Sequence, residues 1–158
     1  MPRLDLAQVP VKTGSIYPAP FGAQMAGRSS LRLGAAGGLT QFGANLVTLE
    51  PGARSSLRHW HAQEDEFVMV TEGTLWLCEN AGETEMAPGD CAAFAAGRPD
   101  GHCLVNRSAS VARFLVVGSR AQLEVATYSD VDLKVTLTDG AAVFTRRDDT
   151  PYASPVEL

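Results

Sequence analysis

His59 and His61 are separated by one residue, and the chain holds a single further histidine, His102. In a strand, side chains alternate between faces, so both imidazoles of the His59-Trp60-His61 run leave the same side, with Leu57. Arg58 and Trp60 leave the other. Glu66 opens the next strand after the acidic connection Glu64-Asp65. Two short antiparallel strands place its carboxylate beside the imidazoles, and His102, at the start of a later strand, supplies a third ring from across a sandwich. Three imidazoles and one carboxylate suit a divalent transition metal such as Zn, Fe, Mn, Ni or Cu. Held in an octahedron, these four donors leave two adjacent positions for water, substrate or oxygen. Glu64 has the strand parity of Glu66 but lies in the connection. It ranks second as a ligand and is a candidate acid/base.

These residues need a β framework, and the chain supplies one. Fifteen glycines and nine prolines punctuate it closely, and the runs between them are short and rich in Val, Leu, Phe and Thr. The pattern predicts strands at Asn45–Glu50, Ser56–His61, Glu66–Thr71, Thr74–Glu79, Cys91–Ala95, His102–Asn106, Val111–Gly118, Val131–Leu137 and Ala141–Thr145. Turn signals such as Pro51-Gly52, Glu72-Gly73 and Pro88-Gly89-Asp90 separate them. Many short strands at such spacing indicate an all-β sandwich or barrel. Residues 1–158 read as a single domain in three zones: a Gly- and Ala-rich N-terminal arm over 1–44, a core over 45–120, and a C-terminal extension over 121–158.

With 158 residues and 45% hydrophobic composition, the chain can bury a core without disulfides or a structural metal. Its net charge of -5 argues against nucleic acid, which demands a basic patch. No apolar run approaches the roughly 20 residues of a membrane helix, and the N-terminus has no apolar signal core. Cys78, Cys91 and Cys103 are odd in number and lack metal-ligand spacing, which fits a reducing cytoplasm and small buried hydrophobes.

The same residues resemble the cupin superfamily. The first motif runs from Pro51-Gly52 through His59-Trp60-His61 to Glu66 and Gly73, with six residues after Gly52, four before Glu66 and six before Gly73. The second runs from Pro88-Gly89-Asp90 through Phe94-Ala95-Ala96-Gly97 to His102 and Asn106. It departs from the family pattern in two ways: Ala95 stands where a proline is usual, and four residues rather than two separate Gly97 from His102. The resemblance covers residues 45–118. It implies a double-stranded β-helix, a jelly-roll sandwich, with a metal near one mouth. His59, His61, Glu66 and His102 match the ligand positions, and Asn106 matches a structural one.

Parity places Val68, Val70 and Leu104 inward, Phe67 and Met69 outward, and Cys103 away from the ligand face. The cavity so lined is apolar, with the metal its main polar feature. Arg54 and Arg98 lie in loops flanking the two motifs, where they can grip a carboxylate or phosphate. Tyr17, Tyr128 and Tyr152 fall outside the motifs. The chain is similar to small cupins named as sugar-phosphate isomerases, which implies Lewis-acid isomerase or epimerase chemistry on a small oxygenated metabolite, with anionic ones among the candidates. An Fe(II) dioxygenase uses the same ligands, and a non-catalytic small-ligand-binding cupin is the third expectation. The arm and the exposed edges of an open sandwich further predict a homodimer.

Overall fold

Among the described residues the chain runs through β1 (Val11–Thr13), β2 (Arg28–Leu31), a short helix α1 (Leu33–Ala36), β3 (Phe42–Leu49), β4 (His59–His61), β5 (Glu66–Glu72), β6 (Leu75–Glu79), β7 (Gly82–Met86), β8 (Cys91–Phe94), β9 (Cys103–Val105), β10 (Ala112–Ser119), β11 (Leu123–Tyr128), β12 (Lys134–Thr138), β13 (Ala141–Thr145) and β14 (Val156–Glu157). The structure, a computed structural model, describes residues 3–152 and 156–157. All strand pairs are antiparallel. They form a six-stranded sheet in the order β1-β2-β3-β10-β5-β8, a five-stranded sheet β14-β13-β12-β11-β4, and a three-stranded sheet β7-β6-β9.

The two smaller sheets join at the histidines. His59 and His102 form an isolated bridge, with backbone N–H to O distances of 3.2 and 3.0 Å in the two directions. This makes one layer of the two sheets opposite the six-stranded one, the all-β sandwich expected from the turn spacing.

Two large apolar clusters fill the interior, beside a small one of Cys78, Cys103 and Val105. The first unites the inward faces of the six- and three-stranded sheets through Val47, Leu49, Val68, Val70, Leu75, Leu104 and Phe114. Val68 and Val70 therefore face inward as their parity predicts, while Phe67 is 41% exposed on the other side. The second packs the five-stranded sheet, through Tyr128, Leu133, Val135 and Phe144, against Ile16, Tyr17, Phe21 and Met25. Residues 1–44 thus do two jobs: their middle covers the five-stranded sheet, and β1 and β2 extend the six-stranded one. The β5–β6 turn requires Gly73: its φ is +71°, and a Cβ there would lie 2.7 Å from the Val111 carbonyl oxygen.

Several boundaries differ from the sequence expectation. The strand predicted over Ser56–His61 forms only at His59–His61, because the preceding residues turn in a loop that buries Leu57. That expected over Val131–Leu137 begins at Lys134. His102 pairs only through its bridge, and the regular strand starts at Cys103. Strands β1, β2, β7, β11 and β14 had no counterpart in the prediction.

Candidate metal centre

The short strand β4 presents both of its imidazoles to the interior, as i,i+2 alternation demands. His59 Nδ1 lies 2.9 Å from the Leu57 carbonyl oxygen, an acceptor that only an N–H can satisfy. The proton therefore sits on Nδ1, and Nε2 carries a bare lone pair. That Nε2 is 3.1 Å from His61 Nε2. Glu66, at the start of β5 in the opposite layer, brings Oε2 to 3.6 Å from His61 Nε2 and Oε1 to 3.2 Å from His102 Nε2. Donor atoms of His59, His61 and Glu66 all lie within 4.8 Å of one another. His102 joins them through its contact with Glu66, its ring centroid 5.2 Å from that of His59. The four residues that the sequence analysis singles out are brought together.

The donor set fits a divalent metal. Three ring nitrogens and a carboxylate converge from two layers, with a lone pair of His59 aimed at its neighbour. The protonation balance fits as well. Burial, then the neighbouring His61, pulls His59 down to about 4, so this ring is neutral. Burial alone would raise the Glu66 carboxyl, but the hydrogen bond to His102 and the His61 ring beside it outweigh that and hold the group well below the usual carboxylate range. Burial opposes protonation of His61 too, but Glu66 overrides that and raises it.

Residues beyond the motifs hold the ligands. The Phe94 ring stacks on His102, with centroids 3.5 Å apart and planes 3° from parallel. Glu124, fully buried on β11, accepts the N–H groups of Ala62 and Gln63 at 2.8 Å each. Its Oε1 also lies 3.4 Å from His61 Nδ1. That contact is electrostatic, since the geometry falls short of a formed hydrogen bond. Glu124 was missed because a carboxylate at an inward position breaks the apolar alternation that reveals a strand. Asn106 is buried and saturated: its side-chain NH2 donates to Leu49 O and Ser110 O, and its Oδ1 accepts from Ser108.

The ligands line a cavity of about 350 Å³. Val68, Leu104, Phe114 and Val116 give it apolar walls, and Tyr17 and Tyr128 stand edge-on with centroids 5.3 Å apart. Burial raises both phenols, so each is a neutral hydroxyl. Lys12, Arg28 and Arg32 also line this cavity. The flanking arginines do not. Arg98 lines a separate recess of about 40 Å³ behind His61 and Phe94, together with Glu64. Arg54 lies outside both, its backbone bridged to Val105. Glu64 Oε1 accepts the Ala121 N–H at 2.9 Å, and burial raises its carboxyl. Its carboxylate groups with His61 and Glu124 on the side away from the main cavity. Arg58 pairs with Asp130 on the outer face, at 3.0 and 2.8 Å. Burial pushes the Cys103 thiol up to about 12, and it packs against Cys78 as an inert hydrophobe.

Among the described residues no helix is long and apolar enough to cross a membrane. The cupin-domain family profile matches residues 45–118. A crystal structure from Silicibacter pomeroyi, described as a sugar phosphate isomerase from a cupin superfamily, is 57% identical, with 97% of this chain and 98% of that chain covered and a TM-score of 0.94. A provisionally named sugar phosphate isomerase of Acidithiobacillus ferrooxidans is 28% identical over 80% of this chain and 81% of that one, with a TM-score of 0.72. A polyketide cyclase of Streptomyces resistomycificus shares the fold, at 23% identity and a TM-score of 0.59 over 75% of this chain and 79% of that one. A search of curated protein sequences returns no match.

Proposed function

The chain belongs to the cupin superfamily, and from that premise we propose that it is a metal-dependent isomerase or epimerase of a small phosphorylated sugar. The observation that carries this reading is the convergence of His59, His61, Glu66 and His102 on the wall of a cavity sized for a small metabolite. The names of the Silicibacter and Acidithiobacillus proteins support the substrate class.

His59, His61, Glu66 and His102 would hold the ion. A divalent metal there supplies Lewis acidity toward a carbonyl or hydroxyl oxygen of the substrate. The apolar walls exclude water and strengthen every polar contact inside. The neutral phenols of Tyr17 and Tyr128 can donate hydrogen bonds to substrate hydroxyls without carrying charge. Glu64, on the far side of His61, acts on substrate only if the substrate reaches the smaller recess. Its raised carboxyl is suited to receiving a proton there. The reading includes a homodimer in the cytoplasm, which sedimentation at micromolar concentration checks.

The test pairs metal analysis of protein purified without added metal with deuterium wash-in from D2O into a panel of aldose and ketose phosphates. Exchange at the carbon next to the carbonyl is expected, with loss of both metal and exchange in His61→Ala. Metal-loaded protein that neither exchanges nor interconverts any member of the panel overturns the isomerase reading. Iron together with oxygen consumption would replace it with the dioxygenase.

A further inference from the structure

Deepening that reading, and resting on it for the chemistry at the metal, the geometry points to the β1–β2 hairpin as the site that binds the substrate's anionic group, through Lys12, Arg28 and Arg32. Strand register puts Lys12 and Arg28 on the cavity face of the sheet. Lys12 stands directly opposite Ser30 across β1–β2, and Ser30 stands opposite Val47 across β2–β3, so the three share one sheet face. Val47 is in the buried core, and Ser30 is buried as well. Arg28, two residues before Ser30, leaves that same face, and Arg32, just past the strand, also lines the cavity.

Three cations therefore line one cavity, Lys12 and Arg28 half-buried and Arg32 exposed at its edge, and charge without a partner is costly where it is buried. No carboxylate lies within salt-bridge distance of any of them among the described residues. Buried Arg28 Nε has no hydrogen-bond partner among the described residues. Burial and the two arginines' charges depress Lys12, and burial, with Arg32, depresses Arg28. An anion with several acceptor oxygens would relieve all three at once, with guanidinium forks meeting it bidentately.

The span is also suitable. Arg28 on β2 and Glu66 on β5 stand three strands apart across the sheet, and register places Arg28 level with Ala112 and Glu66 level with Gly118, six residues further along β10. Both line the same cavity, so a small metabolite whose phosphate or carboxylate lies several bonds from the oxygen at the metal can lie between the cations and the ligands. Ser15, Ser30 and Asn45 add neutral hydrogen-bonding groups to the same wall.

The probe is inorganic phosphate, titrated by calorimetry into metal-loaded wild type, Arg28→Gln, Lys12→Ala, Arg98→Ala and the metal-free His61→Ala variant, with folding checked by circular dichroism. Arg28→Gln and Lys12→Ala are expected to weaken phosphate binding roughly tenfold while metal content stays at the wild-type level. Binding should persist in Arg98→Ala and in His61→Ala. Lys12 lies on an edge strand, so its variant stays readable if Arg28→Gln does not fold. Phosphate affinity unchanged in Lys12→Ala overturns the proposal, and so does binding lost only in Arg98→Ala, which would move the site to the loops. Binding lost only in His61→Ala also overturns it, since phosphate would then sit on the metal. Absence of sugar-phosphate exchange removes the isomerase reading but leaves this measurement intact.

Discussion

Phe94 and His102 lie ring on ring, 3.5 Å apart and 3° from parallel, so a side chain with no polar atom fixes the orientation of a candidate metal-ligand imidazole. His102 has no hydrogen bond at Nδ1 to set its rotation. The stack substitutes for the polar partner that usually orients a ligating histidine. Phe94→Ala should weaken metal binding about tenfold or more and cost about 2 kcal/mol of stability, while Phe94→Leu recovers most of the stability and little of the metal affinity. A chelator competition titration beside a urea melt separates the two. Equal metal affinity in all three proteins would show that the stack is mere packing.

Glu124 works on the other side of the site. Replacement by Gln keeps the shape but turns one acceptor into a donor, which then faces the Ala62 or Gln63 N–H. It also removes the charge beside His61 Nδ1. Glu124→Gln should lower stability by about 1–3 kcal/mol and metal affinity by roughly 10–100-fold. Metal affinity equal to wild type at a pH where the variant is fully folded would confine Glu124 to holding the β4–β5 connection.

The metal-free protein should be most stable near pH 6.5. Folded His59 resists protonation down to about 4, whereas in the unfolded chain it titrates near 6.5. The unfolded state then binds more protons between those values, and stability falls as pH drops through them, by up to about 3 kcal/mol. His61 is raised, so its contribution is full below 6.5 and is lost as pH climbs through its folded value. Below about 4.5, protonation of Glu66 in the unfolded chain adds a further loss. Chemical denaturation in EDTA across pH 4–9 checks this. His59→Asn should flatten the limb between 6.5 and 4, and a limb unchanged in that variant would assign it to another group.

Asn106 provides the contrast. Truncation to Ala takes the buried side-chain donor from Leu49 O and the acceptor from the Ser108 N–H, while Ser110 O keeps the Ser108 hydroxyl. Asn106→Ala should cost about 2–4 kcal/mol with unchanged metal stoichiometry in the fraction that folds. Loss of metal at full folding would place Asn106 in the site after all.

The ligands were legible because histidines are scarce here and the spacing of His59 and His61 has a direct geometric meaning on a strand. Val68 and Val70 were legible for the same reason: alternation survives wherever one face is apolar. The rest was hidden where that signal fails. β7 reads Gly-Glu-Thr-Glu-Met and is exposed for four of its five residues, so nothing apolar announces it. β11 carries Glu124 at a core position, and the carboxylate disguises the strand. β2 hides likewise, since Arg28 and Ser30 occupy an inward face that a propensity reading assigns to apolar residues. Both concealed strands serve the cavity, because polar groups facing a core disrupt patterning and are also what a binding site needs.

His59 and His61 belong to one layer of the sandwich and Glu66 to the other, while the two apolar clusters on either side share no residue. An ion gripped by all of them acts as a rivet through both sheets at the seam between separately packed cores. Its departure would require the layers to part or a ring to swing aside. Metal exchange would thereby be tied to the breathing of the whole barrel rather than to the strength of any single bond. An ion bound there would be held by architecture as much as by its ligands.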